Sequence, residues 1–152
     1  MISAAIDTNV LVRGVIAAHD ASAGKRVLDA FLLGKFALLL SPEILDETSR
    51  VLAAPAVRER HGWSDAEIVR FCRTLETGAR MVKPLTAVSP SLTRDVTDVK
   101  WIALVLDAHA NYLVTYDMRH LGRLKRVGQT RIVTPMTFLR DLDRVSQREQ
   151  AS

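Results

Sequence analysis

The sequence is poor in cysteine and in long apolar runs. Cys72 is the only cysteine among 152 residues, which excludes an internal disulfide and a cysteine-based zinc site, and we expect it to be a small buried hydrophobic residue. The longest uninterrupted apolar run is 101–106, whereas a membrane-spanning helix needs about 20 such residues. Because Asp7 interrupts the apolar N-terminal segment, we expect neither a secretion signal nor a membrane anchor. A reducing cytoplasm is the expected compartment.

Several short enzyme motifs are also absent. The patterns GxGxxG, GxxxxGKS, GxxxxGKT and GxSxG do not occur, which argues against dinucleotide-binding, P-loop and serine-hydrolase functions. The four histidines lack HxxxH or HExxH spacing, which argues against a zinc hydrolase. Asp7-Thr8-Asn9 resembles the start of a phosphoaspartate motif but lacks the second acid of a DxD pattern. A phosphatase acting on small phosphate esters is therefore a weaker alternative.

The composition is that of an ordinary globular domain with a basic excess. Apolar residues make up 48% and charged residues 25% of the chain, which excludes a mainly disordered protein. The length predicts one domain, 1–145, followed by a fraying tail, 146–152. The net charge of +4 favours a polyanionic partner. Basic residues are concentrated shortly after Asp117: Arg119, His120, Arg123, Lys125, Arg126 and Arg131.

Short β-type segments alternate with helical segments along the chain. Helix start signals are clear at Ser41-Pro42 and at Ser64-Asp65-Ala66-Glu67, which has a capping-box pattern. The alternation predicts a three-layer α/β/α sandwich around a mostly parallel sheet of four or five strands. The predicted strands span 2–6, 36–40, 80–83, 112–116 and 131–133. The predicted helical segments span 22–33, 42–53, 55–61, 64–79, 98–110, 119–125 and 135–144.

Three aspartates stand where a buried segment begins or ends. Asp7 closes the first strand, Asp117 follows the strand 112–116, and Asp98 opens an apolar helix. Since ligands collect at the carboxyl ends of parallel strands, we expect acids from distant parts of the chain to share one site. Two unit charges about 4 Å apart repel by about 4 kcal/mol at an effective dielectric near 20. A divalent cation with oxygen ligands is the simplest means of offsetting that repulsion.

Helical geometry adds Glu47 to this group. At roughly 100° per residue, Glu47 borders the core face of helix 42–53, so its carboxylate can reach inward over the edge of the sheet. The alternative for Glu47 is a surface ion pair with Arg50. The residues that define the core face are Ile44, Leu45, Val51 and Leu52.

Asp98 also has a structural interpretation, as the N-cap of its helix. Lys100 and Asp107 nearly superpose on the helix and mark its solvent face. Asp98 points away from that face, towards the apolar arc, which favours a ligand over a cap. Asp95 lies just upstream and is the natural alternative ligand.

Asp7 and Asp117 have structural alternatives of the same kind. Asp7 is followed by threonine and asparagine, so it could form an Asx-turn or a cap. Asp117 could cap the turn at 118–121. Neither aspartate is decisive alone, and the joint occurrence of acids at matching topological positions carries the prediction of a shared site.

Four blocks of the sequence together resemble a PIN domain, and the resemblance extends over nearly the whole chain. The blocks span 5–12, 41–47, 94–104 and 110–117. Each motif, such as Asp-Thr-Asn at residue 7, is short, and it is the order and spacing of the blocks that make the resemblance specific. The closing segment 132–139 is similar to the branch of toxin components of bacterial toxin–antitoxin pairs.

The resemblance implies an endoribonuclease that depends on Mg²⁺ or Mn²⁺. It implies a five-stranded parallel sheet, a homodimer and an antitoxin that covers the site. It assigns catalysis and metal binding to an acidic quartet: Asp7, Glu47, Asp98 and Asp117. The supporting residues are Asn9 and Thr115. The basic residues expected to bind the RNA backbone are Arg119, Arg123 and Lys125.

The sequence departs from the family pattern at several positions. Val96 and Val99 stand where proline and an acid are usual, which makes the block around Asp98 less acidic. Tyr116 stands where glycine is common and is expected to narrow the site. Arg119 replaces a further acid of many relatives, so either the site holds one metal ion or Arg119 takes the role of a second cation. A catalytically weak module that binds RNA or an antitoxin is therefore the main alternative.

Overall fold

A twisted sheet with five parallel strands forms the centre of the fold. In the computed structural model, residues 1–17, 22–84 and 96–151 are described. Within those residues the strands are β1 (Ser3–Ile6), β2 (Ala37–Leu40), β3 (Arg80–Met81), β4 (Tyr112–Val114), β5 (Arg126–Val127) and β6 (Thr130–Val133). Their order is β3-β2-β1-β4-β6-β5, and only the β5–β6 pair is antiparallel. The mostly parallel sheet is confirmed, and the predicted number of strands is too low.

Helices complete a three-layer α/β/α arrangement. In the described residues they are α1 (Thr8–Ile16), α2 (Ala23–Leu32), α3 (Pro42–Ala53), α4 (Pro55–His61), α5 (Asp65–Gly78), α6 (Val96–Asp107) and α7 (Pro135–Ala151), with a 3₁₀ helix at Leu121–Leu124. α7 packs against α2 and β4, and α6 packs against β1, β4 and β5. None of the helices in this described part of the chain has the length and apolar character needed to cross a membrane.

The helix start signals of the sequence are confirmed at two serines. The hydroxyl of Ser41 accepts a hydrogen bond from the Ile44 amide at 3.2 Å, which caps α3. Ser64 and Glu67 form the reciprocal capping box of α5, with both hydrogen bonds at 3.2 Å. The caps fix where these helices begin, and the α3 cap thereby sets the position of Glu47, six residues after Ser41.

α1 is the helix that the sequence pattern did not reveal. Most of its residues are β-branched, and Gly14 lies within it, so its intrinsic helix propensity is low. The helix is stabilised by packing against α2. A Cβ atom placed on Gly14 would lie 2.8 Å from the backbone carbonyl oxygen of Gly24, so the two helix backbones approach closely. Tertiary packing therefore overrides local preference at this position.

The C-terminal quarter of the chain differs from the prediction in two ways. β5 and β6 form a hairpin whose turn places Gly128 at φ 57°, the left-handed region that favours glycine. This hairpin supplies the antiparallel strand that the prediction missed. The last helix, predicted to end at 144, continues to Ala151, because the intervening residues are mostly good helix formers. The predicted tail 146–152 is thus helical as far as Ala151.

A smaller apolar cluster packs outside the main core. Its buried members are Val12, Leu52 and Ile68, and Cys72 packs against them while remaining only half-buried. The expectation of a small buried hydrophobic residue is therefore confirmed only in part. Partial burial nevertheless raises the pKa of the Cys72 thiol above its ordinary value.

Candidate active site

The carboxyl ends of β1 and β4 border a cavity that α1, α3 and α6 also line. Asp7 directly follows β1, and Asp117 comes three residues after the end of β4. Glu47 projects from α3, and Asp98 lies in the first turn of α6. The structure therefore brings all four predicted acids into one cavity. The remaining lining residues are Thr8, Asn9, Val51, Lys100, Trp101 and Leu121.

Thr115 joins the two aspartates at the strand ends. Its hydroxyl donates to Asp7 Oδ2 at 2.7 Å and accepts from the Asp117 backbone N–H at 2.9 Å. The side chain is fully buried, and the Thr115 amide continues the sheet by donating to the Val133 carbonyl at 3.0 Å. Thr115 thus lies where the family resemblance expects a supporting residue. Asn9, the second expected supporting residue, lines the cavity.

Asp7 is positioned firmly, but its environment disfavours its negative charge. Burial is the main cause that raises the pKa of the Asp7 carboxyl, and the nearby charges of Glu47 and Asp117 raise it further. The Thr115 hydroxyl and the Asn9 backbone amide lower that pKa without cancelling the rise. Asp7 stands at the N-cap position of α1 without a side-chain capping hydrogen bond, so the predicted cap is present in position only.

Glu47 is held by side chains from two other helices. Thr8 Oγ1 donates to Glu47 Oε2 at 2.9 Å, and Lys100 Nζ donates to Glu47 Oε1 in an ion pair. The Lys100 and Glu47 side chains are only 16% and 27% exposed, so water screens the pair incompletely. Glu47 faces inward, as its helical position predicts. Its ion-pair partner is Lys100 in place of the predicted alternative, Arg50.

Asp98 lies within α6 instead of preceding it. The helix begins at Val96, so Asp98 is in the first turn and is not the N-cap residue. Its side chain is buried, with 8% of the residue exposed, and it lines the cavity. The structure therefore favours the inward position over the capping interpretation. Asp95, the alternative acid, lies outside the described residues.

Asp117 caps the turn that follows it and also lines the cavity. Its Oδ1 accepts a hydrogen bond from the His120 amide at 3.0 Å, and His120 Nδ1 lies 3.2 Å from each Asp117 carboxylate oxygen. The predicted cap at 118–121 is therefore present, and it does not remove Asp117 from the site. His120 belongs to the basic cluster that follows Asp117 in the sequence, but its contact with the Asp117 carboxylate is not among the expectations from the sequence. The three-residue spacing of an aspartate and a histidine in a turn is the signal that could have identified it.

Tyr116 does not narrow the cavity. The Arg13 guanidinium lies 4.6 Å from the centre of the Tyr116 ring, and a Cβ atom placed on Gly24 would lie 3.3 Å from the Tyr116 hydroxyl. The ring is therefore directed towards α1 and α2, and Tyr116 is not among the residues that line the cavity in the described part of the chain. The expectation of a narrowed site is wrong, because the side chain packs into the helical layer.

The basic residues that follow the last site aspartate divide between the two ends of the sheet. Those predicted to bind RNA are exposed, beside or within the 3₁₀ helix: Arg119, Arg123 and Lys125. Arg131 instead pairs with Asp141 at 3.1 Å and lies 5.7 Å from the centre of the Tyr112 ring. Since Tyr112 is the first residue of β4, Arg131 lies at the opposite end of the strands from the cavity. The assignment of Arg131 to the basic cluster beside the site is therefore wrong.

The donors that line the cavity suit a hard divalent cation. They are carboxylate, hydroxyl and amide oxygens, the ligand types that Mg²⁺ and Mn²⁺ prefer. Burial, and to a smaller extent the charges of Glu47 and Asp117, raise the pKa of Asp7, and a bound cation would favour the charged form of that carboxyl. Within residues 1–17, 22–84 and 96–151, no three acidic, histidine or cysteine side chains already stand close enough to hold an ion. Glu47 in particular is turned to Lys100 and Thr8.

The fold and the cavity define a class of protein, an α/β/α domain with acids gathered at the carboxyl ends of its parallel strands. The family model of the PIN domain matches residues 3–119, which include all four acids. The chain therefore belongs to the PIN-domain family, whose members are generally nucleases and typically use divalent metals. No curated protein matches the sequence.

Proposed function

We propose that the protein is an endoribonuclease that depends on Mg²⁺ or Mn²⁺. One observation carries the proposal: four acids that are up to 110 residues apart in the sequence line one cavity at the strand ends. Independent helix caps would have no physical reason to converge in this way, because like charges repel. Membership of a family of nucleases agrees with phosphodiester hydrolysis as the reaction.

The residues of the cavity would have distinct roles in that reaction. Asp7 and Asp117 would hold the ion at the strand ends with Asp98 beside them, and Thr115 orients the first two through its hydrogen bonds. A bound divalent ion supplies an activated water and offsets the charge that develops on the phosphate. Glu47 would orient the attacking water. Hydrolysis by this route leaves 5′-phosphate and 3′-hydroxyl ends.

Single-stranded or looped RNA is the proposed substrate. Three exposed basic residues follow Asp117 within eight residues, beside or within the 3₁₀ helix: Arg119, Arg123 and Lys125. Such residues bind a phosphate backbone without choosing a base sequence. An unpaired strand can bend towards carboxylates that are partly buried, whereas a rigid duplex presents its backbone only from outside. The proposal therefore combines a non-specific basic surface with a single acidic centre.

Metal dependence gives the first test. Cleavage of a 5′-labelled RNA, followed on a denaturing gel, should require Mg²⁺ or Mn²⁺, because oxygen ligands suit hard cations, and Zn²⁺ should not replace them. Undiminished cleavage after exhaustive chelation would contradict the proposal. Turnover of a chromogenic phosphate monoester without any action on RNA would instead identify a small-substrate phosphatase. Metal binding without cleavage would favour the catalytically weak binding module.

The salt dependence of RNA binding tests the basic surface. Replacing Arg123 and Lys125 by alanine should weaken binding and flatten the plot of log affinity against log salt, since each contact with a single-stranded phosphate contributes a slope of about 0.7. The binding assay should use the metal-free protein, so that cleavage does not interfere. Arg70 and Arg73, two exposed arginines of α5, provide a matched double-alanine control. An unchanged slope in the first variant would exclude those phosphate contacts.

We further propose that this nuclease is the toxin of a toxin–antitoxin pair in the cytoplasm. The support is the similarity of residues 132–139 to toxin components. The proposal includes a homodimer and an antitoxin protein that covers the acidic cavity. The neighbouring reading frame provides the test. A short adjacent gene for a protein with a DNA-binding head would support the pairing, and the absence of any such gene would count against it.

A further inference from the structure

Lys100 is the basic side chain that lines the acidic cavity within the described part of the chain. It belongs to α6, two residues after Asp98, and its amine reaches across to Glu47 on α3. The side chain is only 16% exposed, so the charge lies inside the cavity. A lysine in that place needs an explanation, because long side chains ordinarily extend their charge to water.

We propose that Lys100 is a built-in cation of the active site, which takes the place of a second metal ion and binds the scissile phosphate. This inference rests on the proposed nuclease function. An ammonium group has three donors, so Lys100 can hold Glu47 and also donate to a non-bridging phosphate oxygen. The departure from the family pattern at residue 119 left two alternatives, a single metal ion or Arg119 in the role of a second cation. Arg119 is exposed and does not line the cavity, whereas Lys100 does.

A purely structural role explains the position of Lys100 less well. Partly buried ion pairs gain little net stability, because desolvation offsets most of their attraction. Glu47 is already anchored by Thr8 at 2.9 Å, so it has a second partner that fixes its orientation. A fixed positive charge beside several carboxylates, by contrast, has a clear use when another negative group, a phosphate, must enter the cavity.

The decisive variant is Lys100→Met, which removes the charge and keeps most of the length. Calorimetric titration with Mn²⁺ alone should show about tenfold tighter binding, because a positive charge no longer repels the ion. In a cleavage assay kcat should fall about 10²-fold, the usual loss when one donor to a developing charge is removed, while KM changes less. Lys100→Arg keeps a cation and should retain the Mn²⁺ affinity of the parent and most of its kcat.

Lys35→Met is the matched control, because Lys35 is exposed and lies before β2 at the opposite end of the sheet. It should leave both measurements unchanged. If Lys100→Met does not fold, Lys100→Gln provides the same test, since glutamine keeps a donor for Glu47 without the charge. An unchanged Mn²⁺ affinity together with an unchanged kcat in the neutral variant would overturn the role of Lys100. A parent protein that never cleaves RNA would overturn the proposed function instead. The Mn²⁺ titration would still test whether the charge of Lys100 acts as a cation within the cavity.

Discussion

Replacing Asp7 by asparagine should abolish RNA cleavage and at the same time stabilise the metal-free protein. Asparagine has the same shape and can still accept the hydrogen bond that Thr115 donates at 2.7 Å, so the local geometry is preserved. The change removes one charged ligand from the centre of the site, and kcat should fall on the order of 10³-fold. Without metal, the free energy of unfolding at pH 7 should rise by on the order of 1 kcal/mol. Active-site residues commonly lower stability in return for activity.

The pH dependence of that stabilisation follows from the raised pKa of Asp7. The folded protein binds the Asp7 proton more tightly than the unfolded chain does, so this residue favours folding at low pH. The contribution is fully present below the unfolded pKa, near 3.8, and it is lost as the pH rises through the higher folded pKa. The advantage of Asp7→Asn should therefore be smallest in acid and largest near neutral pH.

Chemical denaturation at a series of pH values, without metal and with millimolar Mg²⁺, measures both effects. Mg²⁺ should stabilise the parent more than the variant, through ordinary ligand linkage. Asp46→Asn is the matched control, because Asp46 is exposed on α3 next to Glu47 and should change neither activity nor the pH profile. If the variant cleaves RNA normally, Asp7 is not a catalytic residue. A variant destabilised at neutral pH would show that the charge of Asp7 supports the fold.

The four acids could be predicted because backbone geometry fixes their approximate positions. Residues that closely follow a parallel strand lie at the carboxyl edge of the sheet, and this rule places Asp7 and Asp117 without any side-chain detail. Helical periodicity adds Glu47, since the apolar face of α3 determines which residues border the core. These arguments depend on backbone geometry. They remain valid although strand and helix ends shift by one or two residues.

The partners of those acids could not be predicted by the same rules. Helical geometry assigns Lys100 to the solvent face of α6, and that assignment describes the direction of its Cβ atom. The four-carbon side chain can still bend and carry its amine into the cavity. Tyr116 is the opposite case. Its place in the sequence predicts a ring beside the cavity, whereas the ring packs beneath Arg13. Long side chains are placed by tertiary contacts that spacing does not encode.

α1 is a whole helix that the local sequence does not predict. Its β-branched residues favour a strand when judged locally, yet the segment is helical from Thr8 to Ile16. The helix also supplies Thr8 and Asn9 to the cavity. Its stability must therefore come from neighbours, and the close approach of Gly14 to Gly24 identifies α2 as the main one.

The dependence of α1 on its neighbour gives the last prediction, that Gly14→Val lowers the free energy of unfolding by about 3 kcal/mol. Helix propensity alone predicts the opposite sign, because valine is a better helix former than glycine by a few tenths of a kcal/mol. The added Cβ, however, would lie 2.8 Å from a backbone oxygen of Gly24 and 3.4 Å from the Leu28 Cβ. Backbone atoms cannot turn aside as a side chain can, so α1 must shift.

Thermal unfolding of the metal-free protein measures the effect, which should appear as a fall in Tm of about 10 °C. Arg26→Val is the control, because Arg26 is exposed on α2 and receives the same β-branched residue without any clash. Since α1 begins directly after Asp7, the shift should also reduce RNA cleavage by the protein that remains folded. A Gly14→Val variant as stable as the parent would show that α1 and α2 do not approach closely. The helix propensity of α1 would then account for its stability.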